Sequence, residues 1–239
     1  MREQIANRGT GANLGVALIL AGVAVSLLTL WMIFMWTPIE ASQGVMQRIY
    51  YVHVPVAWLT EFAFGMTALF GAVYLWLRDE RADAAAVAAA EGGMFMAVIL
   101  LIVGPLWGRV AWGTYWEWEP RLTLTLILFF IFVGYFLVRG AVPDPGKAAR
   151  LAAVVAIVGA LDIPLIHMSV YWFRSLHPEP VVLRADGPTA DSPIVATLLV
   201  SMLVYTLVFV GLWWLRYLTE LAERRADHIA VRPAYGVAR

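Results

Sequence analysis

The chain contains four histidines and no cysteine, so any metal it holds must be bound through nitrogen, oxygen or thioether sulfur, and no cofactor can be attached through a thioether bond. His53 and His167 stand at the ends of two apolar runs that finish on the same side, and their imidazoles are expected at one depth. Taken singly, a histidine at a membrane boundary ordinarily serves as a hydrogen-bonded interfacial residue. Two at one level suit iron in a porphyrin better than a bare ion. A closed zinc site asks for about four ligands, whereas haem supplies four from its own ring and leaves two axial places, one on each face. Such a haem would be non-covalent haem b with His53 and His167 as candidate iron ligands, the alternative being that both are hydrogen-bonded interfacial residues. His177, in the turn-like run His-Pro-Glu-Pro, reads as a loop residue or a propionate contact, and His228 is assigned no role.

Trp107 to Thr123, WGRVAWGTYWEWEPRLT, carries Trp107, Trp112, Trp116 and Trp118 together with Tyr115, Arg109, Glu117, Glu119 and Arg121 between two apolar runs. One reading is an interfacial aromatic belt, but belts are dispersed over many helix ends. A cluster this dense, broken by Gly108, Gly113 and Pro120, reads better as a stacking surface for something flat, since so much exposed aromatic area is unfavourable without a ligand or partner. Arg109 and Arg121 can pair with haem propionates or with Glu117 and Glu119 across the loop. Two carboxylates, Glu61 and Asp162, fall inside apolar runs, where an ionisable group is costly unless paired or wet. Asp162 has a local alternative as a hydrogen-bonding residue in the turn before Pro164. Nothing resembles a nucleophile–base pair or a phosphate-binding loop, so no bond-making active site is expected, and neither is a nucleic-acid partner.

These groups must be held by helices in lipid. Of the residues, 62% are hydrophobic and only 14% charged, and mean hydropathy is +0.75, well beyond the roughly half-apolar composition of soluble domains. The expected fold is an all-α integral membrane protein, one six-span domain with transmembrane helices at about 14–36, 54–77, 92–106, 122–138, 151–168 and 193–215. The first run is too long for the apolar core of an export signal and reads as a retained span. Arg78 to Glu91 is expected to be a short helical connection, and 216–239 a charged cytoplasmic tail, mobile beyond its first turns. The N-terminus, the 78–91 and 139–150 connections and the tail hold 12 of the 17 basic residues, leaving Arg48, Arg109, Arg121, Arg174 and Arg184 for the other side. That bias predicts both termini inside and the Trp-rich loop outside, facing the periplasm of a bacterium whose inner membrane holds the chain.

QRIYYVHVPVAW (Gln47–Trp58), GPLWGRVAWGTYWEWEPRLT (Gly104–Thr123) and PLIHMSVYWFRSLHP (Pro164–Pro178) together resemble the haem exporter protein C (CcmC) branch of the tryptophan-rich "WWD" haem-handling superfamily of cytochrome c biogenesis. The resemblance covers nearly the whole chain, with three separated motifs in the right order. It implies a haem-handling subunit working with the ATP-driven pair CcmA and CcmB, the small membrane subunit CcmD and the periplasmic haem chaperone CcmE. The motif histidines carry over as axial ligands onto His53 and His167. The tryptophan motif, which in that family binds haem and docks the chaperone, carries over onto Trp112, Gly113, Trp116, Trp118 and Arg121. Glu119 stands where the motif usually has Asp, one methylene longer, which puts a backbone-capping or chaperone-contact role in question.

The expected function is haem presentation and transfer without catalysis by this chain. One alternative is a haem lyase or quinol-linked haem reductase, against which stands the lack of a histidine in the middle of any span. The other is a membrane adaptor whose aromatic loop docks only protein.

Overall fold

The structure, a computed structural model, describes residues 2–41, 43–178, 181–182 and 184–231. The end of the expected tail, 232–239, and the side chain of His228 lie outside the described residues. Helix α1 (Arg2–Trp31) runs into a π-helical turn (Met32–Trp36). A 3₁₀ turn (Val45–Ile49) leads into α2 (Tyr50–Leu77), followed by α3 (Glu80–Trp112), α4 (Pro120–Ala141), α5 (Pro145–Gly159), α6 (Asp162–Trp172) and α7 (Ser192–Val231). Six units are long and apolar enough to cross a membrane, with α5 and α6 forming one of them. The all-α, six-helix membrane architecture expected from the sequence is what the chain adopts.

Helix α2 is the hub. Its Phe64 and Ala68 pack with Leu128, Phe132 and Tyr135 of α4 and with Ala152 and Ala156 of α5, while Val56, Leu59 and Ala63 pack with Met96 and Leu100 of α3 and Phe209 of α7. Burying a Phe or Leu side chain fully is worth about 2 kcal/mol in water. In lipid that solvent term vanishes, and close van der Waals fit takes its place. The fit is visible at Gly93, where an added methyl would stand 2.7 Å from the Phe132 ring and 2.9 Å from Ala63 Cβ. Helix α1 packs almost wholly on α7, and their backbones close to the point where a Cβ on Gly211 would meet the Gly15 carbonyl at 2.8 Å.

Helix α3 departs from the sequence reading. The alanine-rich stretch expected to connect two spans is the first third of one continuous helix, started by the Asp79 side chain accepting from the Arg81 amide. Ala84 to Ala90 are buried. Alanine is both the best helix former and small enough to let neighbouring helices come close, which is why a composition read as a linker sits inside the bundle. The tail differs as well, since α7 stays helical to Val231. Its Arg224 and α4's Arg139 both bond to Asp83 of α3 at 2.8 Å, and Arg216 of α7 bonds to Glu91 at 3.0 Å. These ion pairs join α3, α4 and α7 at the end of the bundle opposite the Trp-rich loop.

Candidate functional site

Much of the Trp-rich stretch is helix. Trp107 to Trp112 form the last turns of α3, which ends at Gly113 in the left-handed region (φ +80°), a conformation open to glycine without cost. Only Gly113 to Glu119 is loop, and Pro120 at the first position of α4 closes it. Across this short link Trp116 and Trp118 meet edge to face at 5.6 Å, and Trp118 is 74% exposed. The Trp116 indole nitrogen is buried without a hydrogen-bond partner. Arg109 donates to the Gly113 carbonyl and lies over the Tyr115 ring at 5.7 Å, so it pairs with neither Glu117 nor Glu119. Among the described residues Arg121 forms no ion pair.

Glu119 is the best-connected residue of the loop. Its Oε1 accepts from the Leu122 amide (3.3 Å), capping α4, and from His177 Nδ1 (2.6 Å); its Oε2 accepts from the Leu176 amide (3.1 Å) and from the Ser175 hydroxyl. The extra methylene relative to Asp lets one carboxylate cap its own helix and still reach the loop after α6. His177 is thereby set edge-on to Trp112, with ring centres 4.8 Å apart. Burial acts to raise the Glu119 carboxyl, but the hydrogen bonds from His177, Ser175 and Leu176 outweigh it, and its pKa falls from 4.5 to about 2. A pKa lowered in the folded state stabilises the fold fully above the ordinary value and loses that contribution as pH drops through the lowered one. The clamp between the two loops is therefore expected to hold above about pH 4.5 and to loosen progressively toward pH 2. Glu119→Ala should mimic the acid state at neutral pH, since losing a cap alone costs about 1 kcal/mol. Hydrogen exchange at the Leu122 and Leu176 amides should then rise several-fold, and unchanged protection would rule the clamp out.

His53 lies one turn into α2. Its ring packs edge-on against Trp107 at 5.1 Å and comes within 3.3 Å of where a Cβ on Gly104 would stand, so the glycine leaves room for it. Trp107 is itself pinned by its indole N–H on Gln43 Oε1 (2.8 Å). His53 Nδ1 is buried with no hydrogen-bond partner. A buried imidazole nitrogen left unpaired is costly and calls for an explanation, and a ligand is one.

His167 is placed elsewhere. Its Nε2 bonds to Glu61 Oε2 at 2.7 Å, with the imidazole half exposed beside an apolar groove of about 370 Å³ lined by Trp58, Phe62, Met66 and Leu69. Glu61 is two turns, about 12 Å, further along α2 than His53. The expectation of equal depth counted residues from the expected span ends; α6 runs on to Trp172, five residues beyond His167, and the His167 ring lies at the level of Glu61. Asp162 starts α6, and its Oδ2 is buried without a partner, so this oxygen does not serve the local turn.

Sequence reasoning missed four parts of this arrangement: Trp107 as the wall beside His53, Gly104 as the space for it, the Ser175–His177 segment as the other half of the Glu119 clamp, and the Glu61–His167 pair. For the last the signal existed, because an intramembrane carboxylate needs a partner and His167 is the nearest candidate donor on another span.

The family model described as Heme exporter protein C matches residues 6–232. The chain belongs to the Heme exporter protein C family. It is 40% identical over 197 residues to the Heme exporter protein C of Bradyrhizobium diazoefficiens, covering 82% of this chain and 75% of the relative. It is 36% identical over 204 residues to that of Rhodobacter capsulatus, with 83% of each chain covered. The Escherichia coli K12 protein of the same name is 33% identical over 162 residues, 67% of this chain and 66% of the relative.

Proposed function

We propose that this chain handles haem in cytochrome c maturation: it binds non-covalent haem b at the periplasmic face through His53 and His167 and delivers it to a periplasmic chaperone of the CcmE kind. Trp112, Gly113, Trp116 and Trp118 form the wall against which the ring lies, Glu119 holds that wall to the opposite loop, and Arg121 and Arg109 are the cations for the propionates. When bound, the haem contributes only its iron and its flat ring; this chain orients both and leaves one edge open for transfer. Energy comes from ATP-hydrolysing partners of the CcmA and CcmB kind, with a small membrane subunit of the CcmD kind alongside. The chain lies in the bacterial inner membrane with both termini in the cytoplasm, in keeping with the basic residues gathered at the end of the bundle that carries Arg139 and Arg224.

The observation that carries this reading is His53: a nitrogen ligand with a buried, unsatisfied ring atom, walled by Trp107, on a helix beside the Trp-rich loop. Family membership supports the haem-handling role, and the relatives bear the name of a haem exporter. The test is the absorption of the detergent-purified full-length chain in the Soret region, as isolated and after addition of hemin. A saturable Soret band with the sharp visible bands of two-nitrogen ligation is expected. A chain that stays colourless and binds no hemin is an adaptor instead.

A further inference from the structure

At the end of the bundle opposite the Trp-rich loop, α2 and α5 run antiparallel in a register that their glycines fix. A Cβ on Gly159 would stand 2.8 Å from the Phe64 ring, and one on Gly71 would stand 3.2 Å from Ala153 Cβ. Carried on by two turns, that register sets Arg78, which caps α2, level with Gly146 and Lys147 at the start of α5. Arg150 reaches back to the same level, with Nη1 3.6 Å from where a Cβ on Gly146 would stand. Three cations thus gather between two helix ends. All three are exposed, and among the described residues none of them forms an ion pair. The neighbouring carboxylates are engaged elsewhere: Asp79 holds Arg81 at 2.8 Å, and Asp144 caps α5 by accepting from the Lys147 amide at 2.5 Å.

Two further observations point to a ligand. Among the described residues Arg78 is the only non-glycine with a positive φ (56°), at a helix end where glycine is the usual residue. Backbone strain of that kind is kept where the side chain has a task. Beyond the cations the outward face of α5 is apolar, with Leu151, Val154 and Val158 exposed, and it runs into a groove of about 480 Å³ between α4 and α5 that ends at Leu161 and Asp162. From Arg150 to Leu161 this track measures about 16 Å at about 1.5 Å per residue, the depth of one leaflet in a hydrocarbon core about 30 Å thick. Trp76, 86% exposed, stands at the cation end, as an indole does at a membrane–water boundary.

We propose that the ends of α2 and α5 form a binding site for one anionic phospholipid, its phosphate held by Arg78, Lys147 and Arg150 and an acyl chain laid along Leu151, Val154 and Val158. Cations from two helices converging above an apolar groove hold a single lipid, where a row on one helix would meet only the averaged charge of the surface. The phosphate also ties together two helix ends that otherwise touch through Tyr74, Ala149 and Ala153. The site is independent of haem and of its ligands.

The test is native mass spectrometry of the delipidated full-length chain in detergent, titrated with phosphatidylglycerol or with phosphatidylcholine. One phosphatidylglycerol adduct is expected to form ahead of all others, with phosphatidylcholine at least about tenfold weaker. Arg78→Gln, Lys147→Gln and Arg150→Gln should each weaken that adduct roughly fivefold, and the triple variant on the order of a hundredfold. Arg78→Lys with Arg150→Lys should keep most of the affinity, and unaltered elution on gel filtration shows that the surface variants fold. Arg225→Gln, which removes an exposed cation of α7 outside the site, should change nothing. Equal affinity for the two lipids, an unaffected triple variant, or a loss with Arg225→Gln as large as with Arg78→Gln overturns the proposal. An inorganic phosphate adduct that excludes the lipid would make this a free-anion site and overturns it as well.

Discussion

Detergent-purified protein carrying both His53→Ala and His167→Ala is expected to lose its visible haem spectrum altogether, on isolation and after hemin addition. Haem iron offers two axial places, and a chain without cysteine has few side chains able to fill them, so the remaining Trp-rich wall would provide stacking but no coordination. The single variants should differ. His53 is packed against Trp107 and Gly104 with a buried ring nitrogen, and its loss removes the more rigidly placed of the two proposed ligands. His167 is half exposed and must leave Glu61 before it can coordinate, so its loss should convert the spectrum to that of a singly ligated haem with part of the binding retained. An unchanged two-histidine spectrum in the double variant would refute the assignment.

The second large effect is on stability. Asp83 accepts two bonds from Arg139 and one from Arg224, each 2.8 Å, and its side chain is only 5% exposed. Removing one partner of a buried ion pair costs about 3–5 kcal/mol because the other charge is stranded. Here both arginines keep about a fifth of their exposure, so Asp83→Ala is expected to cost about 3 kcal/mol, near the lower end of that range. Thermal unfolding in detergent, followed by loss of monodisperse protein, should come clearly earlier than in the parent. Arg139→Ala alone should cost less, since Arg224 still balances Asp83. Equal melting of parent and Asp83→Ala would show that the network does not hold α3, α4 and α7 together.

The number of spans was legible because a helical unit crossing lipid must be a long apolar run, and among the described residues six units are long and apolar enough. The Trp-rich stretch stood out for the same physical reason, too much aromatic surface to be left without a task. What could not be read was anything that depends on which helix lies beside which. Trp107 becomes a neighbour of His53 only because α3 packs along α2, and Ser175 meets Glu119 only because the loop after α6 folds back over the start of α4. Depth was misjudged at the outer end of the fifth span: α6 runs on to Trp172, past the expected end at 168, so His167 falls inside the helix and meets Glu61. The length of α3 was hidden by alanine, whose weak hydropathy looks like a linker and whose small size suits a crowded interior.

The stretch between Gly113 and Glu119 is fastened at both ends, by the Gly113 amide on the Arg109 carbonyl at 3.2 Å and by the four bonds that Glu119 accepts. Ordering a free backbone costs about 1–2 kcal/mol per residue. In this link that entropy is lost when the chain folds, not when something docks on Trp116 and Trp118. A binding surface prepared in this way can meet and part from a flat ligand or a partner protein without rearranging each time, so exchange there is limited by the contacts themselves and not by loop folding.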